Sequence, residues 1–313
     1  MRRPSRSIVL ASGALVLFVV FVLFALTVAD FGDDADRPGR MDLDLAGGTP
    51  RSGIREAWLE FSGLTVERAD GTRVQHAFEE PRRIDLARLE RGDAAELLED
   101  LELPPGRYEW IQLHLNTRGE KDTHLVLADD SVRELVLPDK GRNHLRIETP
   151  FEVPPASEVK RTIDFHLHEP LGEKGPTSKT YALRPILRSV ATETASHIKA
   201  TAGRDLIARH CREPRRSGVA LYVFEGDGVE PDDIGGGGAD PVSVGAARME
   251  DDDGPYTFHP AFLAPGDYMV ALTCNAGGDK AEADDAFTFF ATTEIRTEPG
   301  ETVDHRFEDP EDS

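Results

Sequence analysis

Apolar and polar residues alternate with a period of two along many short stretches of this chain. In Ala57-Trp58-Leu59-Glu60-Phe61 the odd-numbered positions are apolar, Ile111, Leu113 and Leu115 alternate with Gln112 and His114, and Ile163, Phe165 and Leu167 alternate with Asp164, His166 and His168. Successive side chains of a strand point to opposite faces, so the pattern predicts half-buried strands. Further strands are predicted from Arg73 to Phe78, His124 to Leu127, Val132 to Leu137, His144 to Val153 and Tyr181 to Val190. One helix is predicted from Asp93 to Leu101, with Leu97, Leu98 and Leu101 on one side and acids on the other. The apolar pattern lapses between Thr192 and Ser196, and strands are again predicted from Ile198 to Ala202, Val219 to Phe224, Tyr256 to His259, Tyr268 to Cys274, Phe287 to Ile295 and Thr302 to Phe307. The expected fold class is mainly β: two β-sandwich domains, residues 51–190 and 195–308, each with its own core, and an acidic tail at 309–313.

One short pattern recurs in both halves. Leu103-Pro104-Pro105-Gly106-Arg107-Tyr108 and Leu263-Ala264-Pro265-Gly266-Asp267-Tyr268 each read Leu-x-Pro-Gly-x-Tyr and lead into a predicted strand. Pro presets φ at the second position of a turn and Gly tolerates positive φ at the third, so a type II turn is expected, with the tyrosine ring packed inward.

Ahead of the sandwiches, Ile8 to Ala29 is an uncharged, largely apolar run, preceded by Arg2, Arg3 and Arg6 and followed by Asp30, Asp33, Asp34 and Asp36. A helix of that length spans about 33 Å, enough for a hydrocarbon core, and the arginines favour a cytoplasmic N-terminus. Residues 1–29 are therefore expected to form one N-terminal transmembrane helix acting as a signal anchor; cleavage after Thr27-Val28-Ala29 is the alternative, and both readings export the rest. Residues 30–50, rich in Asp, Gly and Pro, read as an acidic flexible linker.

The formal net charge is −22, and residues 195–313 alone carry 25 acids and 10 bases. Such a surface repels phosphate backbones, so nucleic acid is excluded as a partner. Two cysteines in an exported chain, Cys211 and Cys274, predict one disulfide within the second domain.

The first half resembles the exported bacterial family called domain of unknown function 4382. The resemblance rests on Phe78-Glu79-Glu80-Pro81-Arg82-Arg83-Ile84-Asp85-Leu86, Leu103 to Ile111, Thr162-Ile163-Asp164-Phe165 and Tyr181-Ala182-Leu183-Arg184-Pro185-Ile186-Leu187-Arg188, and covers roughly Gly53 to Val190. It implies an anchored envelope protein with no established biochemical activity. The chain departs from the common lipoprotein form by lacking a lipidation cysteine, and Asp164-Phe165-His166 stands where the family leads one to expect Asp-x-Asp. The second half is similar to the prealbumin-like or carbohydrate-binding-like sandwich, on the strength of Leu221-Tyr222-Val223-Phe224 and Leu263 to Tyr268.

Two residue sets are candidates for chemistry. Asp164, His166 and His168 would project from one strand face, and His and Asp are suitable zinc or copper ligands. Trp58, Tyr108 and Trp110, if exposed in a groove, would offer flat rings for a sugar to stack on. The acidic loops Asp227 to Asp240 and Glu250 to Asp253 could supply oxygen ligands to a divalent cation but lack the Asp-x-Asp-x-Asp-Gly spacing, so no cofactor is assigned. Neither Gly-x-Ser-x-Gly nor His-Glu-x-x-His is present. The sequence thus points to a noncatalytic, membrane-anchored protein of the bacterial envelope, acting as an interaction or structural module towards an envelope protein or a glycan.

Overall fold

The computed structural model describes residues 35–308, apart from 48–52, 90–91, 118, 120–121, 138–142, 168–179, 184, 215–217, 236, 250, 252, 280–282 and 286. The predicted membrane span lies outside the described residues, among which no helix is long and apolar enough to cross a membrane.

The first domain comprises β1 (Gly39–Gly47), β2 (Ile54–Arg68), β3 (Arg73–Asp85), β4 (Ala94–Leu103), β5 (Gly106–Leu115), β6 (His124–Leu127), β7 (Val132–Val136), β8 (His144–Val153), β9 (Glu158–Leu167), β10 (Thr180–Ala182) and β11 (Pro185–Ala191). One sheet has the order β11-β9-β1-β4 and the other β10-β7-β6-β2-β5-β8, with β3 paired to the free side of β2. Between them lies a core that includes Met41, Leu43, Leu45, Leu59, Phe61, Tyr108, Leu113, Ile163 and Phe165.

Three expectations need correction here. The stretch 30–50 is not all linker: residues 39–47 are β1, hydrogen-bonded antiparallel to β4 and parallel to β9. Its aspartates disguise a period-two pattern, for Met41, Leu43 and Leu45 are fully buried while Asp42 and Asp44 face outward. The predicted helix from Asp93 to Leu101 is the strand β4. There, register shifts set Met41 against Leu101, Leu43 against Leu98 and Asp44 against Glu96, so β4 carries two extra residues, one of them in the bulge at Asp100, which sits at φ 55° with its amide donating to Asp42 Oδ1. That bulge brings Leu98 and Leu101 to the same face at a spacing of three, which in sequence imitates a helix. The single strand predicted from Tyr181 to Val190 is split, β10 pairing with β7 in one sheet and β11 with β9 in the other.

The second domain comprises β12 (His197–Ala202), a short helix α1 (Arg204–His210), β13 (Ala220–Glu225), β14 (Ser243–Ala246), β15 (Arg248–Met249), β16 (Tyr256–Phe258), β17 (Gly266–Thr273), β18 (Phe289–Thr297) and β19 (Thr302–Phe307). Its sheets have the orders β15-β16-β12-β19 and β14-β13-β17-β18 around a core that includes Ile198, Leu221, Val223, Phe258, Val270 and Leu272. The sequence reading missed α1, which is capped at its C-terminal end by Cys211. Cys211 is bonded to Cys274, 63 positions on, with the Cα atoms 5.4 Å apart. Closing a loop of that length stabilises by about 4 kcal/mol on the chain-entropy model.

The recurrent Leu-x-Pro-Gly-x-Tyr segments play the same structural part in both domains. Tyr108 is buried against Phe151, and its hydroxyl donates to the Pro104 carbonyl at 2.8 Å. The Tyr268 hydroxyl donates to the Ala264 carbonyl, again four residues upstream. Each tyrosine latches its turn to the strand that follows. Replacing a buried donor by hydrogen costs about 1 kcal/mol. Tyr108→Phe and Tyr268→Phe should each lose about that much stability, read as a lower urea midpoint with an unchanged slope.

Candidate functional site

Asp164 and His166 lie on β9, on the face opposite the core residues Ile163 and Phe165, yet that face does not meet water. Asp164 is only 3% exposed, because the face is covered by the second domain. Arg188 on β11 stands directly across the ladder from Asp164. Its Nη2 donates to Asp164 Oδ2 and to the Ala261 carbonyl, and its Nη1 donates to the Val242 carbonyl at 2.9 Å. His166 Nε2 is 2.7 Å from the same carboxylate oxygen and 3.1 Å from Ser243 Oγ. A carboxylate held by an arginine only accepts, so Nε2 carries the proton. Ala46, Val190, Ala195 and Phe262 form a small apolar cluster from both domains.

Burial works to raise the Asp164 pKa, but the charges of His166 and Arg188, with their hydrogen bonds, outweigh it and hold the carboxyl below the ordinary carboxylate value. Burial, reinforced by Arg188, pushes the nearby His197 imidazole down.

This geometry does not suit the metal site expected at Asp164, His166 and His168. Two ligands of one tetrahedral zinc ion stand about 3.3 Å apart, whereas a separation of 2.7 Å is that of an N–H···O bond. Arg188 already supplies the positive charge, and His168 lies outside the described residues. A cavity of about 30 Å³ opens beside Asp164, His166 and His259 at the junction. That is room for a water molecule or two and no organic substrate. Carboxylates that converge closely enough to share an ion do occur among the described residues, but in the loops of the second domain: Asp232, Asp233 and Asp284, and Asp233, Asp279 and Asp285.

The aromatic candidates are likewise engaged. Tyr108 is fully buried. Trp110 is 3% exposed, its indole donates to Glu67 Oε1 at 3.0 Å, and the guanidinium groups of Arg146 and Arg73 lie over its ring at 4.3 and 5.3 Å. Only Trp58 is half-buried, with its indole donating to Glu56 Oε2 at 2.7 Å and Arg83 over the ring at 5.2 Å. The expected exposed stacking groove is therefore absent at Tyr108 and Trp110, because Tyr108 packs into the core against Phe151 while Arg146 of β8 and Arg73 of β3 lie over Trp110.

The sequence reading also missed an open cleft of about 1060 Å³ beside α1, lined by Arg204, Asp205, Asp253, Tyr256 and Arg306 among others. Arg204 is paired with Asp253 at 2.7 Å across it. Its walls come from segments far apart in sequence, so no local motif announces it.

Residues 39–185 match the family model described as Domain of unknown function (DUF4382). The first domain belongs to this family. The DUF4382 match begins with β1, twelve residues before the boundary expected at 51, in agreement with the strand's place inside the sheet. No curated protein matches the chain. Among solved structures, a putative adhesin from Bacteroides ovatus is 11% identical, the alignment covering 90% of this chain and 92% of that one at a TM-score of 0.20. The fimbrial anchor protein Mfa2 from Porphyromonas gingivalis is 11% identical, with 82% of each chain covered and a TM-score of 0.18. The Bacillus anthracis TIE protein is 11% identical at a TM-score of 0.19; 87% of this chain is covered but only 34% of that one, so the chain spans about a third of its length. Likenesses this weak carry no argument about what the DUF4382 domain or its neighbour does.

Removing one partner of a buried ion pair leaves an uncompensated charge, a cost of about 3 kcal/mol, whereas replacing both by apolar residues is close to neutral. Arg188→Leu should therefore lose about that much stability in urea denaturation, and the double variant Arg188→Leu/Asp164→Leu should recover most of it. Acid should have a related effect. Because Asp164 titrates lower in the folded chain than the unfolded value of about 3.9, its contribution is complete above about pH 4 and is lost as pH falls through the folded value. Wild-type stability should fall below about pH 4, and an Asp164→Asn variant should lack that part of the acid dependence.

Proposed function

We propose that this chain is a noncatalytic module of the bacterial cell envelope, anchored by its N-terminal apolar segment and presenting two joined sandwiches as a structural or interaction surface. The observation that carries this reading is the Asp164–Arg188–His166 junction. The residues best suited to acid–base or metal chemistry are engaged with one another and with the second domain, in a space too small for a substrate. Such a contact fixes one domain upon the other, which suits a part that must keep a shape and holds little use for turnover. The Cys211–Cys274 bridge supports an oxidising location, since such bonds persist outside the cytoplasm. The apolar run from Ile8 to Ala29 with its flanking arginines supports attachment to the membrane. The acid excess supports a partner that is neutral or basic at its contact surface, and an envelope protein suits this better than a glycan because the ring faces of Trp58 and Trp110 are already occupied by arginines.

Protease added to intact spheroplasts expressing the full chain tests the location. Digestion of both domains with a cytoplasmic marker left whole is the expected result, along with cysteines that react with a thiol reagent only after reduction. Protection of the domains, or freely reactive cysteines, would contradict the proposal.

A further inference from the structure

The loops that follow β13 and β17 bring acids together. Asp232 and Asp233 come from the first loop, and Asp279, Asp284 and Asp285 from the second. One oxygen each from Asp233, Asp279 and Asp285 lies within 4.8 Å of the other two, and Asp232, Asp233 and Asp284 form a second such group that shares Asp233. Two oxygens each about 2.4 Å from one calcium ion can be at most about 4.8 Å apart, so the spacing fits a single coordination shell.

Several of these carboxylates also make hydrogen bonds. Asp279 accepts from the Tyr222 hydroxyl at 2.5 Å and from the Ile234 amide at 3.2 Å, and Asp233 Oδ2 accepts from the Asp285 amide at 2.6 Å. Asp233 Oδ1 is different. The residue is 1% exposed, and this oxygen is buried with no hydrogen-bond partner among the described residues. A carboxylate oxygen hidden from water and unbonded, beside a second carboxylate that is also 1% exposed, is costly unless a cation meets it. Burial, with the nearby charges of Asp232, Asp279 and Asp284, pushes the Asp233 carboxyl up against the opposing effect of the Asp285 amide.

We propose that Asp233, Asp279 and Asp285 form a binding site for one divalent cation of the calcium class. The donors are all oxygen, which selects a hard ion over zinc or copper, and they sit on irregular loops that suit the variable shell of calcium better than the strict octahedron of magnesium. The ligands come from two separate loops, and for that reason the chain shows no linear calcium motif. Ile234, next to Asp233, packs with Tyr222 and Phe224, and Ile186 of the DUF4382 domain packs on the same cluster. An ion that orders this loop therefore also supports the junction between the domains. The inference is independent of the envelope reading, since it concerns the second domain's own loops.

The full chain, stripped with EDTA and dialysed, is titrated with calcium, magnesium and zinc chlorides by calorimetry and thermal melting. Calcium at millimolar concentration should bind one ion per chain and raise Tm by about 4 °C. Asp233→Asn keeps an acceptor for the Asp285 amide but removes the charge; it should lose the calcium shift and, in EDTA, melt no lower than the wild type because carboxylate repulsion is relieved. If that variant does not fold, Asp285→Asn takes its place, with the same loss of the shift expected. Absence of a calcium effect on the wild type, a shift retained in the variant, or stabilisation by zinc alone would each overturn the proposal.

Discussion

A single desolvated ion pair organises the relation between the two sandwiches. Asp164 and Arg188 face each other across β9 and β11, on the side of the sheet turned away from the first core. Burying both charges is expensive, and the cost is offset only because the guanidinium also reaches the Val242 and Ala261 carbonyls while the carboxylate receives His166. Two of those three partners belong to the second domain. The pair makes all of these contacts only when the domains are docked in this one arrangement, in which Arg188 Nε alone of the guanidinium nitrogens stays buried without a hydrogen-bond partner among the described residues; other arrangements would leave more polar groups unbonded. Apolar contacts at Ala46, Val190 and Phe262 add area, but area alone does not specify an orientation.

How much of this was readable beforehand varies with the origin of each signal. Strands whose one face is wet, such as Ala57 to Phe61 and Thr302 to Phe307, declared themselves by alternation. The strand β1 did not, because its aspartates and glycines read as linker, although Met41, Leu43 and Leu45 kept the period. In β4 the bulge at Asp100 converted a period of two into a spacing of three, and composition rich in Leu and Glu completed the likeness to a helix. The break between β10 and β11 was hidden because both pieces are strand; only the sheet each joins differs.

At the candidate site the limitation was of another kind. The alternation of Asp164 and His166 with Ile163 and Phe165 correctly separates two faces of β9. Whether the polar face meets water, a metal or another domain depends on Ser243, 77 positions beyond His166, and on Ala261, 73 positions beyond Arg188, which no local pattern encodes. The same holds for Trp110, whose covering arginines arrive from β3 and β8. The disulfide was legible because export and a count of two leave one pairing, and that pairing is present.

The place of β1 has a mechanical consequence. It is the first strand of its domain, yet it lies inside its sheet, with β4 on one side and β9 on the other along nearly its whole length. Tension entering the domain lengthwise at Gly39 would load both ladders in shear, so that their hydrogen bonds must yield together and not one after another. A domain whose first strand is an interior one resists being unravelled from that end, and the buried Met41, Leu43 and Leu45 would have to be dragged through the core before the first ladder is lost.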